Sequence, residues 1–352
     1  MYYPLSKNDI IRQIRIKTIT EFFFFMKILI IGFGSIGKRH VNNLIRNTDS
    51  EIIICSKRKN VRFLDHKKIK VLNSLEKCLL EKPDVVFITN ETAFHIPMAI
   101  KVAKAGLDLF IEKPLSNSTN GIKALQKIVK QKKLVTQMGC NLRFHKCIIK
   151  IRQLINQKKI GKVVSIQSEN GSYLPDWHPH EDYRKGYAGD RKLGGGIILT
   201  MIHDIDYLYW MFGNPKSIFS VSGKFSDLDI SAEDYCSSII EFKNNITAEL
   251  HLDFFQRPEF RSCKIKGTKG IIYWNSDKNE VRLFRNRKKM WETVLTLKKF
   301  QRNEMYIDEI MHFLKCVKNR QKSINNLDEG IETMKIALAM KTSSKKRRMI
   351  KI

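Results

Sequence analysis

The chain of 352 residues carries 64 Lys and Arg against 35 Asp and Glu, a formal net charge of +29. Its length fits about two domains, and its 43% hydrophobic content excludes a disordered polyelectrolyte. No uncharged apolar run reaches the roughly 18 residues of a spanning helix, so no membrane partner is expected. The cations are scattered, and no helix-turn-helix, RNP or zinc pattern accompanies them. We therefore expect no nucleic-acid partner.

The first 25 residues end in four phenylalanines and contain no small-residue cleavage site, so they do not resemble a signal peptide. We interpret 1–25 as a dispensable extension or an early start codon. The seven cysteines are an odd number and form no CxxC pair. This usage favours reduced thiols, a cytoplasmic location and no metal site.

From Met26 onward, short apolar runs alternate with segments of helical spacing, which predicts a parallel sheet built from βαβ units over 26–145. These runs lie at 27–31, 51–55, 84–88, 108–111 and 134–138. Over 146–341 we predict a mainly antiparallel sheet, with one long helix near 196–212 and helices at 304–318 and 327–341. Its strands are predicted at 163–168, 217–223, 235–242, 246–254, 261–266, 270–274, 280–284 and 292–297. Residues 342–352 are expected to form a basic tail.

The sequence Gly32-Phe33-Gly34-Ser35-Ile36-Gly37 follows the first predicted strand and opens a helix. In that context, G-x-G-x-x-G predicts a dinucleotide-binding Rossmann turn, in which glycines let the backbone approach a pyrophosphate at a helix N-terminus. The second strand leads into Ser56-Lys57-Arg58, where NAD enzymes usually carry an acidic residue. A hydroxyl and two cations suit a 2′-phosphate, so NADP is favoured and NAD stays open.

Glu112-Lys113-Pro114 ends another predicted strand at the edge that faces a ligand crevice, where Lys113 would reach a substrate oxygen. On the predicted 196–212 helix, Thr200, His203 and Tyr207 fall on one face. His203 has the side chain best suited to proton transfer at neutral pH. The loop before this helix offers Trp177 as a stacking surface and Arg184 as an anion clamp.

Together these motifs resemble the Gfo/Idh/MocA oxidoreductases. Two further motifs carry the resemblance, namely Thr89-Asn90 with His95, and Asn141-Leu142-Arg143-Phe144. The resemblance implies an N-terminal Rossmann domain, a C-terminal α+β domain with an open, mainly antiparallel sheet, and a homo-oligomer. It implies hydride transfer between the dinucleotide and a sugar or nucleotide sugar, with Lys113 and His203 as catalytic residues.

The resemblance also assigns the remaining site residues. It places Thr89, Asn90, His95, Glu112 and Lys113 beside the cofactor, and Arg143, Thr200 and Tyr207 beside the substrate. A narrower resemblance at 171–184 implies sialic- or legionaminic-type sugars of surface polysaccharides.

The sequence departs from the family at one position that bears on catalysis. Thr200 stands where the family usually has an aspartate before the histidine. A threonine cannot act as a carboxylate base, so a non-catalytic dinucleotide or sugar sensor on the same fold remains the alternative hypothesis.

Overall fold

The computed structural model describes residues 25–57 and 68–352. Of the segments discussed above, 1–24 and Arg58 lie outside the described residues.

The first domain is built on a six-stranded parallel sheet whose strands run in the order β3-β2-β1-β4-β5-β6. Its strands are β1 (Lys27–Ile31), β2 (Glu51–Cys55), β3 (Ile69–Leu72), β4 (Val85–Ile88), β5 (Asp108–Glu112) and β6 (Thr136–Gly139). Its helices are α1 (Ser35–Asn47), α2 (Leu75–Leu80), α3 (His95–Lys104) and α4 (Ile122–Gln131). Central strands such as β4 are buried throughout, as expected when helices cover both faces of a parallel sheet. The strand order reverses between β1 and β4, and ligands bind at such a switch point.

The second domain contains a nine-stranded sheet in the order β14-β13-β12-β11-β7-β10-β9-β8-β15. Its strands are β7 (Val163–Gly171), β8 (Ser217–Gly223), β9 (Tyr235–Phe242), β10 (Ile246–Asp253), β11 (Phe260–Gly267), β12 (Gly270–Asn275), β13 (Glu280–Arg285), β14 (Met290–Thr296) and β15 (Ile350–Lys351). The β7–β10 pair is parallel and the other pairs are antiparallel. The sheet is thus mainly antiparallel, as the sequence predicts.

The inner face of this sheet is covered by α5 (Lys146–Asn156), α6 (Ile197–Thr200), α7 (Ile202–Phe212) and α9 (Leu327–Lys346). Alternating burial along β9 shows why this sheet needs a cover on one side only. Among the helices of the described segments, none combines the length and apolar character required to cross a bilayer.

The chain returns to the first domain near its end. In α8 (Asn303–Asn319), Phe313 packs edge-on against Phe87 and Phe110, with ring centroids 5.6 and 5.7 Å apart. Residues Leu327 and Met334 at the start of α9 join the core on the other face of the same sheet. The two cores are therefore not separated at one point in the sequence.

The segment 342–352 differs from the basic tail that the sequence predicts. It continues α9 as far as Lys346, and β15 then pairs with β8 at the sheet edge. The sequence did not indicate this arrangement because Lys345 and Lys346 are exposed on the last helical turn and Arg347 and Arg348 are exposed directly after it.

Candidate active site

The glycine-rich turn has the conformation that dinucleotide binding requires. Gly32 has a φ of 97°, and a Cβ there would lie 2.6 Å from the backbone nitrogen of Asn90. A Cβ at Gly37 would overlap the carbonyl oxygen of Gly32. By contrast, a Cβ at Gly34 would meet nothing within 4 Å, although Gly34 caps α1. Gly34 thus leaves open space before the N-terminus of α1, where Ser35 and Ile36 begin the first turn, and this space fits a pyrophosphate.

The segment after β4 holds the glycine-rich turn in place through hydrogen bonds. The Thr89 hydroxyl donates to the carbonyl oxygen of Gly32 at 2.8 Å. His95 Nε2 lies 2.9 Å from the carbonyl oxygen of Asn90, and its Nδ1 lies 2.8 Å from that of Pro114. The side chains of Thr89 and His95 therefore bind the backbone of neighbouring loops rather than facing a cofactor directly.

Asn90 differs from its neighbours. Its Oδ1 is buried and has no hydrogen-bond partner in the described structure. Because buried polar atoms are nearly always paired, this orphaned acceptor fits a donor brought by a bound group. Together with the space at Gly34, it makes the crevice compatible with a dinucleotide.

At the end of β2, the carbonyl oxygen of Cys55 accepts from the backbone of Gly32 at 3.3 Å. This bond holds the next two residues, Ser56 and Lys57, beside the glycine turn, and Lys57 is exposed. These residues stand where a dinucleotide's adenosine ribose is expected.

Glu112 was expected beside the cofactor, but its carboxylate faces inward. Its Oε1 lies 2.6 Å from His40 Nε2, and its Oε2 accepts from the backbone of Lys113 at 3.1 Å. The sequence analysis missed His40, which follows Gly37 by three residues and is fully buried on α1. This pair links the glycine-turn helix directly to the segment that carries Lys113.

Lys113 connects the two domains. Its Nζ donates to the carbonyl oxygen of Thr200 at 2.7 Å, and the Lys113–Pro114 peptide bond is cis. The structure thus brings together the two segments that the sequence singled out for chemistry.

His203 follows three residues after Thr200 and is partly exposed. Desolvation, together with the positive charges of Lys113, Arg261 and Arg302, lowers the pKa of His203 well below its usual value. The imidazole is therefore neutral at neutral pH, and its Nδ1 has no partner in the described structure. It can accept a proton from a group that enters the site.

The long helix predicted over 196–212 is broken. Met201 has a φ of −95° and a ψ of 30°, which separates α6 from α7. The stripe of Thr200, His203 and Tyr207 is consequently not formed. Tyr207 is fully buried, with its hydroxyl 2.5 Å from Ser168 Oγ, so it does not contact substrate as expected. The Thr200 hydroxyl is buried without a partner.

Arg143 also differs from the expectation of a substrate contact. Its side chain is fully buried and forms a bidentate pair with Asp206, with both N–O distances 2.9 Å. A further bond of 2.8 Å joins it to Glu329. Arg143 thus ties α7 to α9 as a structural ion pair, since its charge is already satisfied.

Trp177 and Arg184, the two loop residues expected at the substrate, bind neighbouring side chains of the protein. Trp177 Nε1 donates to Ser172 Oγ at 2.8 Å, and its ring packs edge-on against Phe254. Arg184 is exposed and pairs with Asp182 at 2.8 Å.

A second group of polar residues, which the sequence analysis missed, lies behind His203. Asp204 is fully buried, and its Oδ2 accepts from Asn170 Nδ2 at 2.8 Å and lies 3.2 Å from Arg261 Nη2. Asn170 and Arg261 are directly paired across β7 and β11. Only the strand register brings them to Asp204, and no local sequence signal reveals it.

Comparison with known proteins identifies both halves of the chain. Residues 26–140 match the oxidoreductase family with an NAD-binding Rossmann fold, and residues 148–273 match the GFO/IDH/MocA C-terminal domain. Myo-inositol 2-dehydrogenase of Thermotoga maritima is 25% identical over 342 residues, covering 93% of this chain and 98% of the relative. The scyllo-inositol 2-dehydrogenase (NAD(+)) of Bacillus subtilis is 23% identical, covering 89% and 92%.

The fold is also found among solved structures. Levoglucosan dehydrogenase in complex with NADH and levoglucosan superposes with a TM-score of 0.82 at 18% identity. The match covers 94% of this chain and 100% of that one.

Proposed function

The chain belongs to the Gfo/Idh/MocA oxidoreductase family, and from that premise we propose that it transfers hydride between a nicotinamide dinucleotide and a sugar or polyol. The observation that carries the proposal is the hydrogen bond from Lys113 Nζ to the carbonyl oxygen of Thr200, three residues before His203. It brings a cationic donor at the carboxyl end of β5 to the segment that carries a neutral imidazole.

The chemistry divides between the two side chains. When bound, the nicotinamide ring supplies the hydride acceptor or donor. In oxidation, His203 accepts the proton of the substrate hydroxyl, and in reduction it returns that proton to the oxygen. The Lys113 ammonium orients the same oxygen and stabilises the negative charge that develops on it. The buried Glu112–His40 pair holds the segment that precedes Lys113.

The direct test is turnover by the full chain with NAD(H) or NADP(H), on inositols, levoglucosan, aldoses and their acidic derivatives. We expect a change in reduced-nicotinamide absorbance with at least one of these compounds. Tight dinucleotide binding without turnover across this panel would contradict the proposal.

For the cofactor, an NAD-type dinucleotide follows from the family, and we propose a preference for NADP. Lys57 supports it because an exposed cation stands where an acidic residue would bind the ribose hydroxyls of NAD. The measurement is the ratio of dissociation constants for NADPH and NADH. Lys57→Gln should lower that preference, and equal or tighter NADH binding by the original chain would contradict it.

A homo-oligomer is proposed through the outer face of the second sheet. Phe219 and Ile239 are paired across β8 and β9 and remain 37% and 41% exposed, and Val221 next to them is 47% exposed. Adjacent apolar side chains on one exposed sheet face are typical of an interface.

The second candidate function is a sensor that binds dinucleotide or sugar without turnover, and Thr200 favours it. Its buried, unpaired hydroxyl offers no negative charge to raise the basicity of His203. Thr200→Asp restores a carboxylate there. A gain of turnover from a silent parent would favour the sensor, whereas an active parent would exclude it.

The narrower role in surface polysaccharides rests on the 171–184 segment alone. Trp177 and Arg184 in that segment would stack on and clamp an acidic sugar, once Arg184 exchanges its surface partner Asp182. Turnover of a nonulosonate in preference to inositols would support this role.

A further inference from the structure

We propose that the substrate carries an anionic group, a carboxylate or a phosphate ester, which Arg261 and Arg302 bind beside His203. This inference rests on the proposed function, because it names the substrate class of the same site. The name cationic cluster is used below for Lys113, Arg261 and Arg302.

The first arginine of the cluster is fixed by the sheet. Arg261 lies at the start of β11, directly opposite Asn170 at the end of β7. Its side chain is 17% exposed, and one guanidinium nitrogen, Nη2, lies near Asp204. The Nε atom is buried and unpaired within the described structure. Because a guanidinium has five N–H donors in a planar fork, Arg261 retains donors for a second anion.

The second arginine, Arg302, directly precedes α8. Phe300 packs on the His145 ring, with centroids 4.7 Å apart, and the charge of Arg261 also acts on His145. His145 therefore lies between Arg261 and the loop that ends at Arg302. Reciprocal bonds of 3.2 and 2.7 Å between Asn43 and Asn303 hold that turn against α1. Arg302 is thus exposed at the junction of the two domains.

The side chains around the cationic cluster carry more positive than negative charge. Asp204 is the carboxylate that contacts the cluster among the described residues, through its Oδ2 atom and Nη2 of Arg261. Asp253, at the same end of the strands as Asn170, is already bonded to His251 and to the backbone of Phe255 and Gln256.

Near Arg302, the carboxylate of Glu304 pairs with Lys146 at 3.3 Å, and Arg302 forms no salt bridge within the described segments. Three cations therefore act on His203 through their charge, and Asp204, which contacts Arg261, is the carboxylate that offsets them among the described residues. A neutral polyol would leave that excess uncompensated, whereas an anionic group would form charge-assisted hydrogen bonds with it. The same group would offset the positive field on His203.

The experiment measures binding rather than turnover. The full chain loaded with NADPH is titrated with glucose, glucuronate and glucose 6-phosphate, and with the galacto and manno equivalents, by calorimetry. Filling the dinucleotide site with NADPH, including the position of its 2′-phosphate, prevents the phosphate compounds from binding there. In at least one series, we expect an acidic compound to bind about tenfold more tightly than its neutral parent, as one charge-assisted hydrogen bond would give. A tighter uronate identifies a carboxylate, and a tighter 6-phosphate identifies a phosphate ester.

The variants assign the effect to the cluster. Arg302→Gln should remove most of the acid preference, and since Arg302 is exposed, this variant keeps the fold. Arg261→Gln should do the same, whereas Arg287→Gln, in the exposed β13–β14 turn at the opposite end of the strands, should retain the preference. Equal binding of neutral and acidic compounds, no binding of any acid, or an unchanged preference in Arg302→Gln would overturn the proposal. A retained preference without turnover of any sugar would instead overturn the proposed function alone.

Discussion

At the scale of single residues, short motifs single out candidate side chains but do not indicate their partners. Lys113 and His203 lie in such motifs, and their catalytic roles stay predictions. Arg143 and Tyr207 were assigned to the substrate because a polar group on an apolar helix suggests a ligand. In the structure, both side chains instead form hydrogen bonds within the protein, Arg143 with Asp206 and Tyr207 with Ser168. Partners far apart in sequence are set by tertiary packing, which local patterns do not encode.

The lowered pKa of His203 predicts the pH dependence of oxidation. A depressed value keeps the imidazole neutral as the pH falls through about 6.5, the ordinary histidine value. We therefore expect kcat/KM for oxidation to stay level from pH 8 to about pH 6, because the base remains unprotonated. In Thr200→Asp, the fall of kcat/KM on the acid side of the pH profile should move to higher pH, since a nearby carboxylate raises a histidine pKa. Such a fall at or above the ordinary histidine value in the original chain would contradict this assignment.

At the scale of elements, nearly all strands of the second sheet were predictable from β-branched and aromatic runs. The break between α6 and α7 was not, because Ile, Leu and Met around Met201 favour a continuous helix. The glycine turn was predicted with its helix, since Gly32 and Gly37 leave no room for a Cβ and Gly34 leaves open space before α1.

Two glycine substitutions separate binding from folding. Gly34→Ala should leave the free energy of unfolding nearly unchanged and weaken dinucleotide binding, because the new Cβ enters open space before α1. Gly37→Ala should also lower stability, because its Cβ overlaps the Gly32 carbonyl. Thermal unfolding and NADH titration of both variants check this contrast. Equal losses of stability in the two variants would contradict it.

The buried ion pair is expected to matter for stability alone. Arg143→Met leaves Asp206 charged and buried, which should cost about 3–5 kcal/mol of unfolding free energy. The control Arg184→Met breaks an exposed pair and should leave stability unchanged. Urea unfolding of both variants measures the difference. A stable Arg143→Met chain with altered substrate affinity would contradict this prediction and indicate that Arg143 contacts the substrate.

At the scale of the whole molecule, the sequence predicted two domains but not how the chain connects them. The amphipathic pattern of α8 predicts a helix, yet it cannot tell which core the apolar face joins. In the structure Phe313 returns the chain to the first domain, which is its second crossing, and α9 then carries it back to the second domain. Part of the net charge acts locally, because the positive charges of Lys113, Arg261 and Arg302 lower the pKa of His203.

The exposed sheet face predicts self-association. Ile239→Asp replaces a 41% exposed apolar side chain that faces Phe219 and should disrupt an interface formed there. Light scattering should show a larger species for the original chain and a monomer for the variant, with the fold kept because the site is exposed. A monomeric original chain would contradict the interface.

We expect Lys113 and His203 to act together on the substrate oxygen. The decisive measurement is steady-state turnover of Lys113→Met and His203→Gln with the best substrate of the panel, alongside NADH titration of each. General acid–base groups typically contribute about 10²–10⁴ in rate, so we predict losses of kcat in that range with dinucleotide affinity nearly unchanged. Turnover at the original rate in both variants would contradict the account.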